Sequence, residues 1–70
     1  MAEPLPVRVY AARRAALESR LCGSGMAQDV AEEWLGAWEA YAAEVGLDRD
    51  ARDYWQRGGE WIETGRHRGH

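Results

Sequence analysis

A chain of 70 residues with a net charge of −3 holds one domain at most, and a domain of that size buries only about 60% of the surface its unfolded chain exposes. Its single cysteine, Cys22, excludes an internal disulfide and suits a reducing cytoplasm. No stretch is apolar for long enough to cross a membrane, and the opening MAEPLPVRVYAARR lacks the order of basic, apolar and small residues that a secretory signal needs.

Lys, Phe and Asn are absent, whereas Ala, Arg, Gly and Trp are plentiful. Lys is normally among the commonest residues. The bias follows G/C-rich codons and points to a GC-rich bacterial genome, or to a phage or plasmid within one. Arg therefore stands for positive charge in general.

The first predicted helix covers about residues 6–22. Tyr10, Leu17 and Leu21 line one side with Val7, while Leu5, Val9, Ala12 and Ala16 form a weaker second stripe. Pro6 suits a first turn, where its missing N–H leaves nothing unpaired. Val7, Arg8 and Val9 also tolerate an extended backbone, so the start lies anywhere from Pro6 to Tyr10. Gly23-Ser24-Gly25 ends the helix. That stretch is too short for a phosphate loop and lacks the Gly-Lys-Ser/Thr that would follow, so it reads as a connector.

The second helix, about 27–45, carries the clearest pattern. Val30, Ala31, Trp34, Leu35, Ala37, Trp38, Tyr41, Ala42 and Val45 share a face of roughly 160° on a helical wheel. Asp29, Glu32, Glu33, Glu39 and Glu44 fall on the other side with Gly36, Ala40 and Ala43. The early acids suit the positive end of the helix dipole, and Gly46 is a natural stop. The third helix, about 50–64, has Asp50 as a cap and Asp53 at its third position. Ala51, Tyr54, Trp55, Gly58, Trp61, Ile62 and Gly65 share one face. Gly58 sits at the centre of that face, where it admits a neighbouring backbone or ring edge; the alternative is that Gly58-Gly59 kinks or ends the helix. Residues 67–70 read as a flexible tail.

Three amphipathic helices joined by short connections must share one core. The expected fold is therefore an all-α three-helix domain spanning residues 1–66. Trp34 and Tyr41 are expected inside it, since large aromatics dominate small cores. Two short neighbours do not cover so broad a face, however. Trp38 and Trp61, toward the edges of their faces, are expected to border an exposed patch flanked by Glu39 and Arg57.

Charge is segregated by helix. Glu3 to Arg20 has four arginines against two acids, Asp29 to Asp48 has six acids and no base, and the remainder has five arginines against four acids. The acidic middle helix is either a solvated face satisfied internally by Arg13, Arg14 or Arg20, or a docking strip of Glu32, Glu33, Glu39 and Glu44 for a basic partner.

Residues able to do chemistry are sparse. Cys22, His67 and His70 lack the paired spacing of a zinc site. The carboxylates sit on a wet helix face rather than in a pocket, and no nucleophile, base and orienting group come together. Neither an enzyme nor a cofactor or metal site is expected. A nucleic-acid role is the alternative: Arg8, Arg13, Arg14 and Arg20, with Arg66 and Arg68 in the tail, would contact phosphates. The third helix, however, turns Asp53, Glu60 and Glu63 outward, and the net charge opposes an autonomous binder. That alternative is thus an accessory factor whose specificity comes from another protein.

Trp34-Leu35-Gly36 resembles the W-x-G tripeptide of the small helical-hairpin proteins exported by type VII secretion. In that family the tripeptide marks the turn between two helices. Here it falls inside a predicted helix, and Tyr54 is followed four residues later by Gly58 rather than by the expected acid. The sequence reading is therefore a cytoplasmic, non-enzymatic interaction module (an adaptor, inhibitor or regulatory subunit). Its partner would be another protein or a second copy of the chain.

Overall fold

The structure, a computed structural model, describes residues 5–65 and their side chains from Val7 onward. It consists of α1 (Leu5–Gly23), α2 (Gln28–Val45) and α3 (Tyr54–Glu63), each packed on the other two. Among the described residues there is no strand. The predicted all-α three-helix fold is therefore observed. His67–His70, expected to form a tail, and Arg66 lie outside the described residues.

Local chemistry sets the ends of α2. Ala27 precedes it in an extended conformation without a side-chain cap, and Gly46 ends it at φ 79°. In this left-handed conformation, which glycine adopts without a Cβ penalty, the Leu47 N–H reaches back to the Ala42 carbonyl at 2.9 Å. That bond closes the helix in the manner of a Schellman motif. The α1–α2 connection turns at Gly25, φ 107°, and the Ser24 hydroxyl donates to the Arg20 carbonyl at 3.1 Å.

The start of α3 departs from expectation. Asp48 Oδ1 accepts the Asp50 N–H at 2.9 Å, and successive turns run through Asp53 before the helix begins at Tyr54. A short acidic side chain competing for backbone N–H groups favours turn over helix. Asp53, not Asp50, occupies the cap position, and it makes no side-chain capping bond.

The core comprises Leu17 and Leu21 from α1, Ala31, Leu35, Trp38 and Ala42 from α2, and Tyr54, Trp55 and Ile62 from α3. Each fully buried large aliphatic side chain stabilises the fold by about 1.5–3 kcal/mol. Two expectations are corrected here. Trp38 is only 2% exposed and sits at the centre of the core, whereas Tyr41 is 42% exposed. The buried line Ala31, Leu35, Trp38, Ala42 lies roughly 50° around the helix from the middle of the apolar face, toward Glu39. The neighbours grip one flank of that face, and Val30, Tyr41 and Val45 are left outside. Trp34 is half-buried, packed against the core.

Gly58 and Gly59 explain how so short a third helix reaches both neighbours. The helix runs through them unbroken. A Cβ on Gly58 would lie 2.6 Å from Trp38 Nε1 on α2, and one on Gly59 would lie 2.9 Å from Arg20 Nη2 and 3.2 Å from Leu17 Cδ1 on α1. Adjacent helix positions point about 100° apart, so each glycine admits a different neighbour. The predicted ring edge against Gly58 is therefore present, and the ring is that of Trp38.

Candidate interaction surfaces

Glu39 is the hub of the α1–α2 contact. One carboxylate oxygen accepts the Tyr10 hydroxyl, and the other accepts Arg14 Nε at 3.2 Å. Arg14 also reaches Glu32 at 3.3 Å. Burial, together with the Glu39 carboxylate beside it, holds the Tyr10 hydroxyl well above the usual tyrosine range. Burial alone would weaken the Arg14 charge, but its bonds to Glu39 and Glu32 reverse this and raise its pKa. The Arg49 guanidinium lies 4.2 Å over the Tyr10 ring, a cation–π contact that ties the α2–α3 connection back to α1. A cavity of about 120 Å³ beside this cluster is lined by Tyr10, Glu39, Ala43, Leu47, Arg49 and Tyr54. Glu39 and Glu32 are thus engaged within the fold, and Glu39 does not flank the predicted aromatic patch.

A cleft of about 130 Å³ opens between α2 and α3. Tyr41 and Trp61 stack across it, 5.2 Å apart with their planes at 21°, and Trp38 lies behind both. Val45 and Leu47 extend the apolar surface, with Arg57 and Glu60 also lining the cleft. Two predicted partner-binding residues, Trp61 and Arg57, are thus brought together. Trp38 forms the buried back wall instead of an exposed edge, for the packing reason given above. Glu33 and Glu44 are exposed, separate from this lining. Tyr41, Val45, Leu47 and Glu60 were not anticipated as site residues. The signal for Tyr41 and Val45 was their spacing of four on one flank of α2, which is visible only once the buried flank is known.

A second groove, of about 550 Å³, runs between α1 and the start of α3 and is lined by Arg13, Ala16, Leu17, Arg20, Arg52, Trp55 and Gln56. It gathers Arg13 and Arg20 of the predicted basic set and adds Arg52. Arg14 is drawn away to its glutamates, and Arg8 is exposed on the first turns of α1. Arg66 and Arg68 lie outside the described residues. Arg20 also pairs with Glu63 at 2.7 Å, joining α1 to α3 rather than to the acidic helix.

Among the described residues no helix is long and apolar enough to cross a membrane. No protein-family model, curated protein or solved structure matches the chain.

Proposed function

We propose that the chain is a cytoplasmic, non-enzymatic interaction module that binds another protein, or a second copy of itself, through the cleft between α2 and α3. The carrying observation is the Tyr41–Trp61 stack beside Val45: Tyr41 is 42% and Val45 52% exposed. Exposed apolar surface rimmed by charge is typical of interaction sites, and Tyr, Trp and Arg are enriched there. At about 130 Å³ the cleft falls below the roughly 300–1,000 Å³ of small-molecule sites, which favours a protein side chain as its occupant. An adaptor, inhibitor or regulatory subunit would use such a surface.

The test compares wild type with Val45→Glu, a substitution at an exposed position that leaves the core intact. Pull-downs from bacterial lysate identify a candidate partner, and titration calorimetry with that purified partner measures its affinity. Light scattering over a concentration series reports self-association. Val45→Glu is expected to keep the helical circular dichroism while weakening the interaction at least tenfold. An interaction of unchanged strength would remove the cleft from consideration.

A further inference from the structure

The groove between α1 and α3 lies on a different face from the aromatic cleft, with its own charge pattern. Arg13, Arg20 and Arg52 converge on it, and Ala16, Leu17 and Trp55 supply apolar surface. Arg20 has Glu63 as a counterion, but among the described residues neither Arg13 nor Arg52 has an ion-pair partner. Guanidinium groups match carboxylates in planar, two-point hydrogen bonds. We propose that this groove binds an acidic segment of a partner protein.

Spacing and field both favour that occupant. Arg13 and Arg20 stand seven residues apart on one helix, which places them roughly 10 Å apart along its axis. Carboxylates seven residues apart on a partner helix repeat at the same interval. Apolar side chains between them would rest on Leu17 and the edge of Trp55. A nucleic acid would offer phosphates to the same arginines, but a strand longer than the groove enters the field of a chain whose net charge is −3, with six acids and no base from Asp29 to Asp48, of which Arg14 pairs Glu32 and Glu39. Such a field opposes a long polyanion. A short acidic segment confined to the groove largely avoids it.

The experiment is fluorescence anisotropy on the full chain. The probes are a labelled glutamate-rich amphipathic peptide of about 20 residues, long enough to form a helix, and labelled single- and double-stranded oligonucleotides of equal net charge. Proteins titrated are wild type, Arg13→Glu/Arg52→Glu, the milder Arg13→Gln/Arg52→Gln, and the cleft variant Val45→Glu. Circular dichroism checks that each is folded. The peptide is expected to bind wild type and Val45→Glu alike, to weaken as salt rises, and to lose at least about tenfold in affinity to the charge-reversed variant, equivalent to about 1.4 kcal/mol. The glutamine variant should fall between. Several results would each overturn the proposal: no peptide binding at low salt, equal binding to the arginine variants, or loss of binding only in Val45→Glu. Tighter binding of an oligonucleotide than of the peptide, abolished by the arginine variants, would also overturn it and assign the groove to nucleic acid. The cleft reading is unaffected by any of these results except loss confined to Val45→Glu, which would strengthen it.

Discussion

At the scale of single residues, the contact between Trp38 and Gly58 leaves the least room of any glycine among the described residues. The Trp38 ring is buried, and a methyl group on Gly58 would overlap it at 2.6 Å. Alanine improves helix propensity by about 1 kcal/mol, whereas overpacking a tight core costs about 1–3 kcal/mol. Overlap this severe should win, and Gly58→Ala is expected to lower the urea midpoint, corresponding to about 1–2 kcal/mol. Gly59→Ala meets first the movable end of Arg20, so its effect should stay within about 1 kcal/mol of wild type. Equal losses at the two positions would mean that ring burial is not the cause. Tyr10 supplies a pH prediction. Its folded-state pKa is raised, so its contribution is fully present below the unfolded value of about 10 and is lost as pH rises beyond it. Thermal stability should therefore fall above about pH 10, and Tyr10→Phe should flatten that fall. A variant with the same alkaline profile as wild type would remove Tyr10 as its source.

At the scale of the helix, how much could be read from sequence depended on which signal set the boundary. The end of α2 was readable because Gly46 has a single conformational role there. The start of α3 was not, because Asp50 and Asp53 satisfy the rules for a cap while Asp48 spends its carboxylate on a turn. The apolar face of α2 was correctly drawn, but its buried centre was displaced. Periodicity records which residues avoid water; it does not record where two neighbours sit on a face wider than they can cover. Glu39 is consistent with that rotation, since its part-buried carboxylate is bonded there to Tyr10 and Arg14, and no pattern along α2 alone announces partners on α1. Gly36 shows the opposite case. It is exposed, and a Cβ there would meet nothing within 4 Å; nothing in the structure requires glycine at this position. Gly36→Ala should raise stability by about 0.5–1 kcal/mol, measured as a higher thermal midpoint. No gain would indicate an unrecognised constraint on the outer face of α2.

At the scale of the whole molecule, a core this small leaves a margin of only about 3–5 kcal/mol. Removing a buried aromatic side chain costs about the same, so Trp38→Ala is expected to be largely unfolded at room temperature by circular dichroism. Tyr41→Ala, which removes a ring from the surface stack, should remain folded. The reverse ranking would overturn the assignment of core and edge. The segregation of charge was plain in the sequence, but its pairing was not. Of the three arginines that could face α2, only Arg14 does so, while Arg20 turns to Glu63. Seven residues separate Arg13 from Arg20, so they share one side of α1, and Arg14 is offset from both by the helical period. Knowing which side of α1 faced α2 required the third helix.

That third helix has a further consequence. With ten residues, two of them glycine, and no side-chain cap at its start, α3 is too short and too flexible to persist by itself. It is helical because it lies on α1 and α2. In folding, the α1–α2 hairpin should therefore order first, and α3 should condense onto it after the rate-limiting barrier. Ile62→Val would then speed unfolding with little effect on refolding, a φ-value near zero. In the native state α3 should be the first segment to detach, and its amides should exchange fastest among the three helices. Because α3 is one wall of both the aromatic cleft and the arginine groove, its detachment abolishes both. An occupant of either would hold α3 down and make the other more available. Two surfaces without a shared residue would thus be thermodynamically linked through the same local opening.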